Sequence, residues 1–164
     1  MRFTVRYKIN QYDVCDEDHK LVSMIQKGVI PGNCLAVCDA DRKRQYQVVC
    51  GCGEIVIKTE KGESLHCVLE YPVDESGHVV QKAYTRPPMA ERTMMNTQLG
   101  ILVICQTEKR NFSVYLNDRK VGEMTHMLSN SKEMSFSEEI PRNICGLIFA
   151  VGFLMLHDDD IEIV

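Results

Sequence analysis

Residues 144–156 read ICGLIFAVGFLML, thirteen side chains in a row without a polar group. Such a stretch must be covered on every side, and each way of covering it implies a different molecule. A membrane-spanning helix needs about 20 apolar residues, whereas this run extends only roughly 20 Å as a helix. The run is also too long for a central strand, whose usual length is about 5–6 residues. What remains is a helix that is apolar all round, which belongs where protein encloses it. Pro141, after Glu138 and Glu139, suits a helix start, because its missing N–H falls among the unpaired donors and the acids complement the positive dipole end. The spacing predicts a helix over about 142–157. Gly146 and Gly152 would cost about 1 kcal/mol each in an exposed helix, and they make sense where a surrounding wall comes close.

The preceding residues supply that wall. Phe3, Val5, Tyr7 and Ile9 alternate with Arg2, Thr4, Arg6 and Lys8, the period of a half-buried strand. Similar runs follow at 12–16, 20–26, 34–39, 44–50, 53–60, 64–71, 78–84, 99–106, 112–117, 120–127 and 133–139. Polar turn sequences such as DEDHK (16–20), DADRKR (39–44), EKGE (60–63) and NDRK (117–120) separate them. The segment 86–98 contains two prolines and reads as a loop. About twelve antiparallel strands in one meander must close their edges, and a barrel of that size leaves a hole. A helix of about 10 Å diameter fills it. The expected fold is mainly β: a closed, about twelve-stranded barrel around a buried C-terminal helix, with 1–164 as a single domain.

Composition narrows the function classes. A formal charge of −4 argues against a nucleic-acid partner, which would call for a basic excess. MRFTVRYKIN has no continuous apolar stretch of the secretory kind. Eight cysteines then fit a reducing, cytoplasmic setting in which they remain thiols. Cys15, Cys67, Cys105 and Cys145 read as small buried hydrophobes. The chain lacks G-x-S-x-G, H-E-x-x-H, P-loop and G-x-G-x-x-G patterns. No enzyme, no catalytic residue and no cofactor are therefore expected. His66 adjoins Cys67, but adjacent strand residues face opposite sides. Asp158 to Asp160 read as a solvated helix exit.

Two groups of residues could bind something. Cys34, Cys38, Cys50 and Cys52 place four thiols within 19 residues, enough for a Zn²⁺ site or thiol redox chemistry if two adjacent strands bring them together. The second group is basic. If the strands run simply up and down, turns after even-numbered strands share one mouth. That mouth would gather Arg42, Lys43, Arg44, Arg119 and Lys120 with Arg142 at the helix N-terminus, an arrangement that favours anions. Asp16, Glu17, Asp18, Asp39, Asp41 and Asp118 share that end and oppose the effect.

The stretch EEIPRNICGLIFAVGFLMLHDDD (138–160) resembles the ending of phospholipid scramblases, where an acidic, proline-containing lead-in opens a hydrophobic helix. YDVCDEDHKLV (12–22) and VYLNDRKVGEM (114–124) look like the strand–polar turn–strand units of the same superfamily. The chain thus resembles the tubby C-terminal-like superfamily, which joins tubby proteins, scramblases and plant LURP-one-related proteins. That resemblance implies a twelve-strand barrel around a hydrophobic helix. It also implies a monomeric binding module for anionic lipid headgroups of the phosphoinositide kind, or for a protein partner. A membrane-associated, scramblase-like role is its other implication, and would require 144–156 to enter the bilayer.

Overall fold

A computed structural model describes residues 1–28, 34–51, 53–80 and 89–156. The first half of the wall comprises β1 (Arg2–Lys8), β2 (Gln11–Asp16), β3 (Leu21–Lys27), β4 (Cys34–Asp39), β5 (Arg44–Gly51) and β6 (Glu54–Thr59). The second comprises β7 (Ser64–Glu70), β8 (Arg92–Thr97), β9 (Gly100–Gln106), β10 (Phe112–Leu116), β11 (Arg119–Thr125) and β12 (Ser131–Phe136). Helix α1 (Arg142–Leu156) follows. Each strand pairs antiparallel with its neighbours in sequence, and β12 returns to β1 in the register Phe3↔Met134, Val5↔Lys132. The barrel is closed.

Alternation decides which side chains face inward. Val5, Val14, Ile25, Val48, Ile55, Ile57, Ile104 and Val114 are all fully or almost fully buried in one cluster with α1. Every residue of α1 from Cys145 to Leu156 is buried, so the helix occupies the barrel interior and has no solvent face over that stretch. In this fold the run from Cys145 to Leu156 is covered by the strands. No helix among the described residues is long and apolar enough to cross a membrane.

The two helical glycines mark where the wall comes nearest. A Cβ at Gly146 would lie 2.8 Å from Ser23 Cβ on β3, and one at Gly152 would lie 2.5 Å from Met124 Cε on β11.

Four connections use one device. Asp16, Asp39, Thr59 and Asp74 each exchange backbone bonds with the residues three and four positions on. The residue three on takes positive φ: His19 at 60°, Arg42 at 64°, Gly62 at 82° and Gly77 at 79°. These are turns with a left-handed closing residue. In the three aspartate turns, the carboxylate also accepts the N–H groups two and four residues on. The polar turn sequences therefore fix the hairpins by direct hydrogen bonding.

One strand lies elsewhere than the sequence suggests. The run 78–84 does not supply β8: Val79 forms only an isolated bridge with Val73, and 81–84 fall outside the described residues. β8 is Arg92–Thr97, inside the segment read as a loop, and it pairs with β9 over six positions. Its sequence RTMMNT buries Thr93 and Met95 and exposes Arg92, Met94 and Asn96. The alternation is real but is written in residues with little β preference. A smaller difference affects β1. Tyr7 and Ile9 continue the inward parity of Phe3 and Val5, yet Tyr7 near the end of β1 is 46% exposed and Ile9, in the turn beyond it, is 90% exposed.

Candidate functional site

The up-and-down order gives the barrel two mouths. Turns after even-numbered strands and the start of α1 lie at one; turns after odd-numbered strands and the end of α1 lie at the other.

Arg42, Lys43, Arg44, Arg119, Lys120 and Arg142 all belong to the α1 N-terminal mouth, and all are exposed. Carboxylates engage three of them. Arg119 pairs with Glu139, Lys120 with Glu123 at 3.0 Å, and Arg142 with Asp16 at 3.2 Å. Asp16 also accepts the N–H groups of Lys20 and Asp18, both at 3.0 Å. The Lys20 bond is the main cause holding its carboxyl below the usual range, with Asp18 and Arg142 adding to it. Of these six, Arg42, Lys43 and Arg44 form no ion pair with the described residues. This mouth is thus a mixed-sign, largely self-neutralised rim. Nearby on the outer wall, a groove is lined by Asp16, Glu17, Glu123 and Glu133 with Arg2 and His19, and the Arg2 N–H donates to Glu17.

The α1 C-terminal mouth has a different character. A cavity of about 230 Å³ opens there, lined by Tyr7, Tyr12, Ser129, Asn130, Lys132 and Phe153 with Met127 and Leu128. Tyr12 packs on Phe153 at 5.0 Å, on Tyr7 at 5.1 Å and on Phe149 at 5.5 Å between ring centroids. Two ammonium groups sit over these rings. Lys27 Nζ lies 5.3 Å from the Tyr7 centroid, 5.7 Å from Tyr12 and 5.8 Å from Phe153, and Lys132 Nζ lies 5.3 Å from Tyr12. Cation–π attraction offsets part of the cost of holding them there.

Lys132 points inward from β12, is 5% exposed and donates to the Ser129 carbonyl. Burial first, and the Lys27 charge second, push its ammonium below the ordinary lysine value. Among the described residues, neither lysine forms an ion pair. Burial raises the Tyr12 phenol to about 12, so it stays protonated at neutral pH. Leu128, on the cavity's edge, is 65% exposed, and Ile9, on the neighbouring turn, is 90% exposed.

Sequence reasoning missed Lys27 and Lys132. The signal for Lys132 was present: in SKEMSF it shares parity with the buried Met134 and Phe136, which makes it a charge on the inward face. Lys27 shares the parity of the inward Ile25, but it ends β3, where exposure is ordinary.

Among the described residues, Cys34, Cys38 and Cys50 do not converge on one point. Cys50 points into the core with Val48, whereas Cys34 lies on the other face of the sheet, where Gln47 donates to its sulfur at 3.3 Å. Cys38 stands opposite Met24 on β3, and Cys52 falls outside the described residues. Among those residues no group of three or more metal-binding side chains converges. Burial pushes the Cys67 and Cys145 thiols up to about 12 and raises Cys15, Cys38 and Cys105 as well. They remain protonated and weakly nucleophilic. His66 is exposed and bonds Glu54 at 3.1 Å, while Cys67 faces the core. The acidic run 158–160 also lies outside the described residues.

Fold and mouths together define a class: a closed twelve-strand meander filled by one helix. Among solved structures the chain is similar to an X-ray structure of a protein from Arabidopsis thaliana. The TM-score is 0.53 at 12% identity, over 97% of this chain and 90% of that one. At that identity the likeness is one of fold. No family model and no curated protein matches the chain.

Proposed function

We propose that this barrel is a non-enzymatic binding module whose ligand is the anionic headgroup of a membrane lipid, received at the mouth where α1 ends. A filled interior leaves the mouths and the outer wall for binding. The observation that carries the reading is the pair Lys27 and Lys132, two cations free of carboxylates among the described residues, beside the exposed apolar Ile9 and Leu128. A basic residue near an anionic leaflet contributes about 1 kcal/mol, and apolar tips add to it by entering the interface. The sequence resemblance to the tubby C-terminal-like superfamily, together with the barrel-and-helix fold, supports the same reading. The basic turn Arg42 to Arg44 offers a second, weaker seat at the opposite mouth.

Vesicle co-sedimentation tests the proposal. Phosphatidylcholine vesicles doped with phosphatidylserine or a phosphoinositide should retain the protein, and pure phosphatidylcholine should not. Lys27→Glu should release it, and Arg42→Glu with Lys43→Glu should not. Release by the second pair alone would move the seat to the other mouth. Absence of retention on every vesicle would end the lipid reading and leave a protein partner.

A further inference from the structure

Lys132 has a property that headgroup binding does not use. Its amine stands in a cavity of about 230 Å³ with aromatic walls and a second ammonium nearby. Desolvation and an adjacent cation are the two means by which proteins turn a lysine into a nucleophile at neutral pH. Both act here: Lys132 is 5% exposed, and its amine and that of Lys27 each lie within 6 Å of the Tyr12 ring centroid. The other groups facing the cavity are the phenols of Tyr7 and Tyr12, the Ser129 hydroxyl and the Asn130 amide. Among the described residues no carboxylate pairs with Lys132 to hold it protonated. The Ser129 carbonyl accepts from the amine and can orient it without quenching its lone pair, because a neutral amine still has an N–H to donate.

We propose that Lys132 captures small aldehydes or ketones bearing an anionic group as imines in this cavity, with Lys27 attracting the anionic end. The neutral amine attacks the carbonyl carbon, the C=O π pair moves to oxygen, and a proton passes from nitrogen to that oxygen. The carbinolamine then loses water as the nitrogen lone pair forms the C=N bond. Nothing is oxidised or reduced, and the sum is amine plus carbonyl giving imine plus water. The cavity suits a compound of a few heavy atoms, and its aromatic rings cover the hydrocarbon part. Cation–π contact with Tyr12 stabilises an iminium as it does the ammonium.

Reductive trapping decides the matter. The full-length protein is treated at pH 7 with glyoxylate and cyanoborohydride, which converts the imine to a stable secondary amine, and labelled lysines are mapped by peptide mass spectrometry. Lys132 should be labelled on the order of tenfold faster than any exposed lysine. Glyoxylate should react faster than uncharged propionaldehyde at Lys132, and Lys27→Gln should remove that preference. Labelling of Lys132 no faster than that of Lys58 or Lys120 overturns the proposal, and because this comparison is made in the unmutated chain it needs no variant to fold. Lys132→Arg should abolish the fast adduct. Vesicle retention of the unmutated chain without fast Lys132 labelling overturns this proposal alone, and fast labelling without retention overturns the lipid reading alone.

Discussion

Asp16 links distant parts of the chain through one carboxylate. It shapes its own turn through the N–H groups of Asp18 and Lys20, and it reaches Arg142, 126 residues away, where α1 begins. Asp39 makes the same turn bonds to Asp41 and Lys43 but turns its second oxygen to Gln45 at 2.9 Å. The two positions therefore form an internal comparison. The folded-state value of Asp16 is lowered, so between that value and the unfolded one, about 3.9, the unfolded chain binds more protons. Its contribution is present above the unfolded value and is lost as pH falls through the folded one. Asp16→Asn should lower the melting temperature at pH 7 more than Asp39→Asn does. It should also weaken the dependence of melting temperature on pH below about 4. Thermal melts followed by far-UV circular dichroism from neutral to strongly acid pH check both. An unchanged acid slope would mean that other carboxylates govern acid unfolding.

At the scale of elements, α1 and the wall constrain each other through the two glycines. At Gly146 an added methyl meets Ser23 Cβ at 2.8 Å, and Ser23 is itself fixed by donating to the Cys38 carbonyl at 2.8 Å. At Gly152 it meets the mobile end of Met124. Gly146→Ala should therefore cost about 1–3 kcal/mol from overpacking. Gly152→Ala should be close to neutral, since Met124 can swing aside and alanine gains about 1 kcal/mol of helix propensity. Denaturant unfolding of the two variants checks the contrast, and equal losses would place both against rigid wall. The same elements show what was readable beforehand. The apolar run gave α1 away because no other cover for it was consistent with its length, and the aspartate turns bounded the hairpins because their side chains make the bonds themselves. β8 escaped because Arg92–Thr97 has the alternation of a strand without strand-forming residues, and the flanking prolines at 87 and 88 drew attention to a loop. The up-and-down strand order puts the turns that carry the six rim cations at one mouth. Their pairing with Glu139, Glu123 and Asp16 was not readable, because it depends on which side chains the curvature brings together.

For the whole molecule, closure and filling depend on each other. Strand β12 can return to β1 only if twelve strands curve to a common radius, and at that radius the inward side chains of opposite walls leave room for a helix. The inward Val5, Ile25, Val48, Ile57, Ile104 and Val114 would face a void without α1, while twelve successive helix residues are buried by their presence. Burying each large apolar side chain contributes about 1.5–3 kcal/mol, against a net stability of about 5–15 kcal/mol for a domain. Removing α1 thus takes away more than the fold has to lose. A chain ending at Pro141 should show no cooperative melt. It should lose the near-ultraviolet dichroism of its tyrosines, the sequence having no tryptophan, and should bind a hydrophobic dye as loosely packed states do. Phe149→Ala grades the same effect: its ring packs on Tyr12 and Phe153, and its loss should cost about 3–5 kcal/mol while leaving a foldable chain. A truncated chain that melted cooperatively with native-like tyrosine dichroism would mean that the strands pack against one another unaided. The inward orientation of Lys132 would then need an explanation other than a wall fixed by its helix.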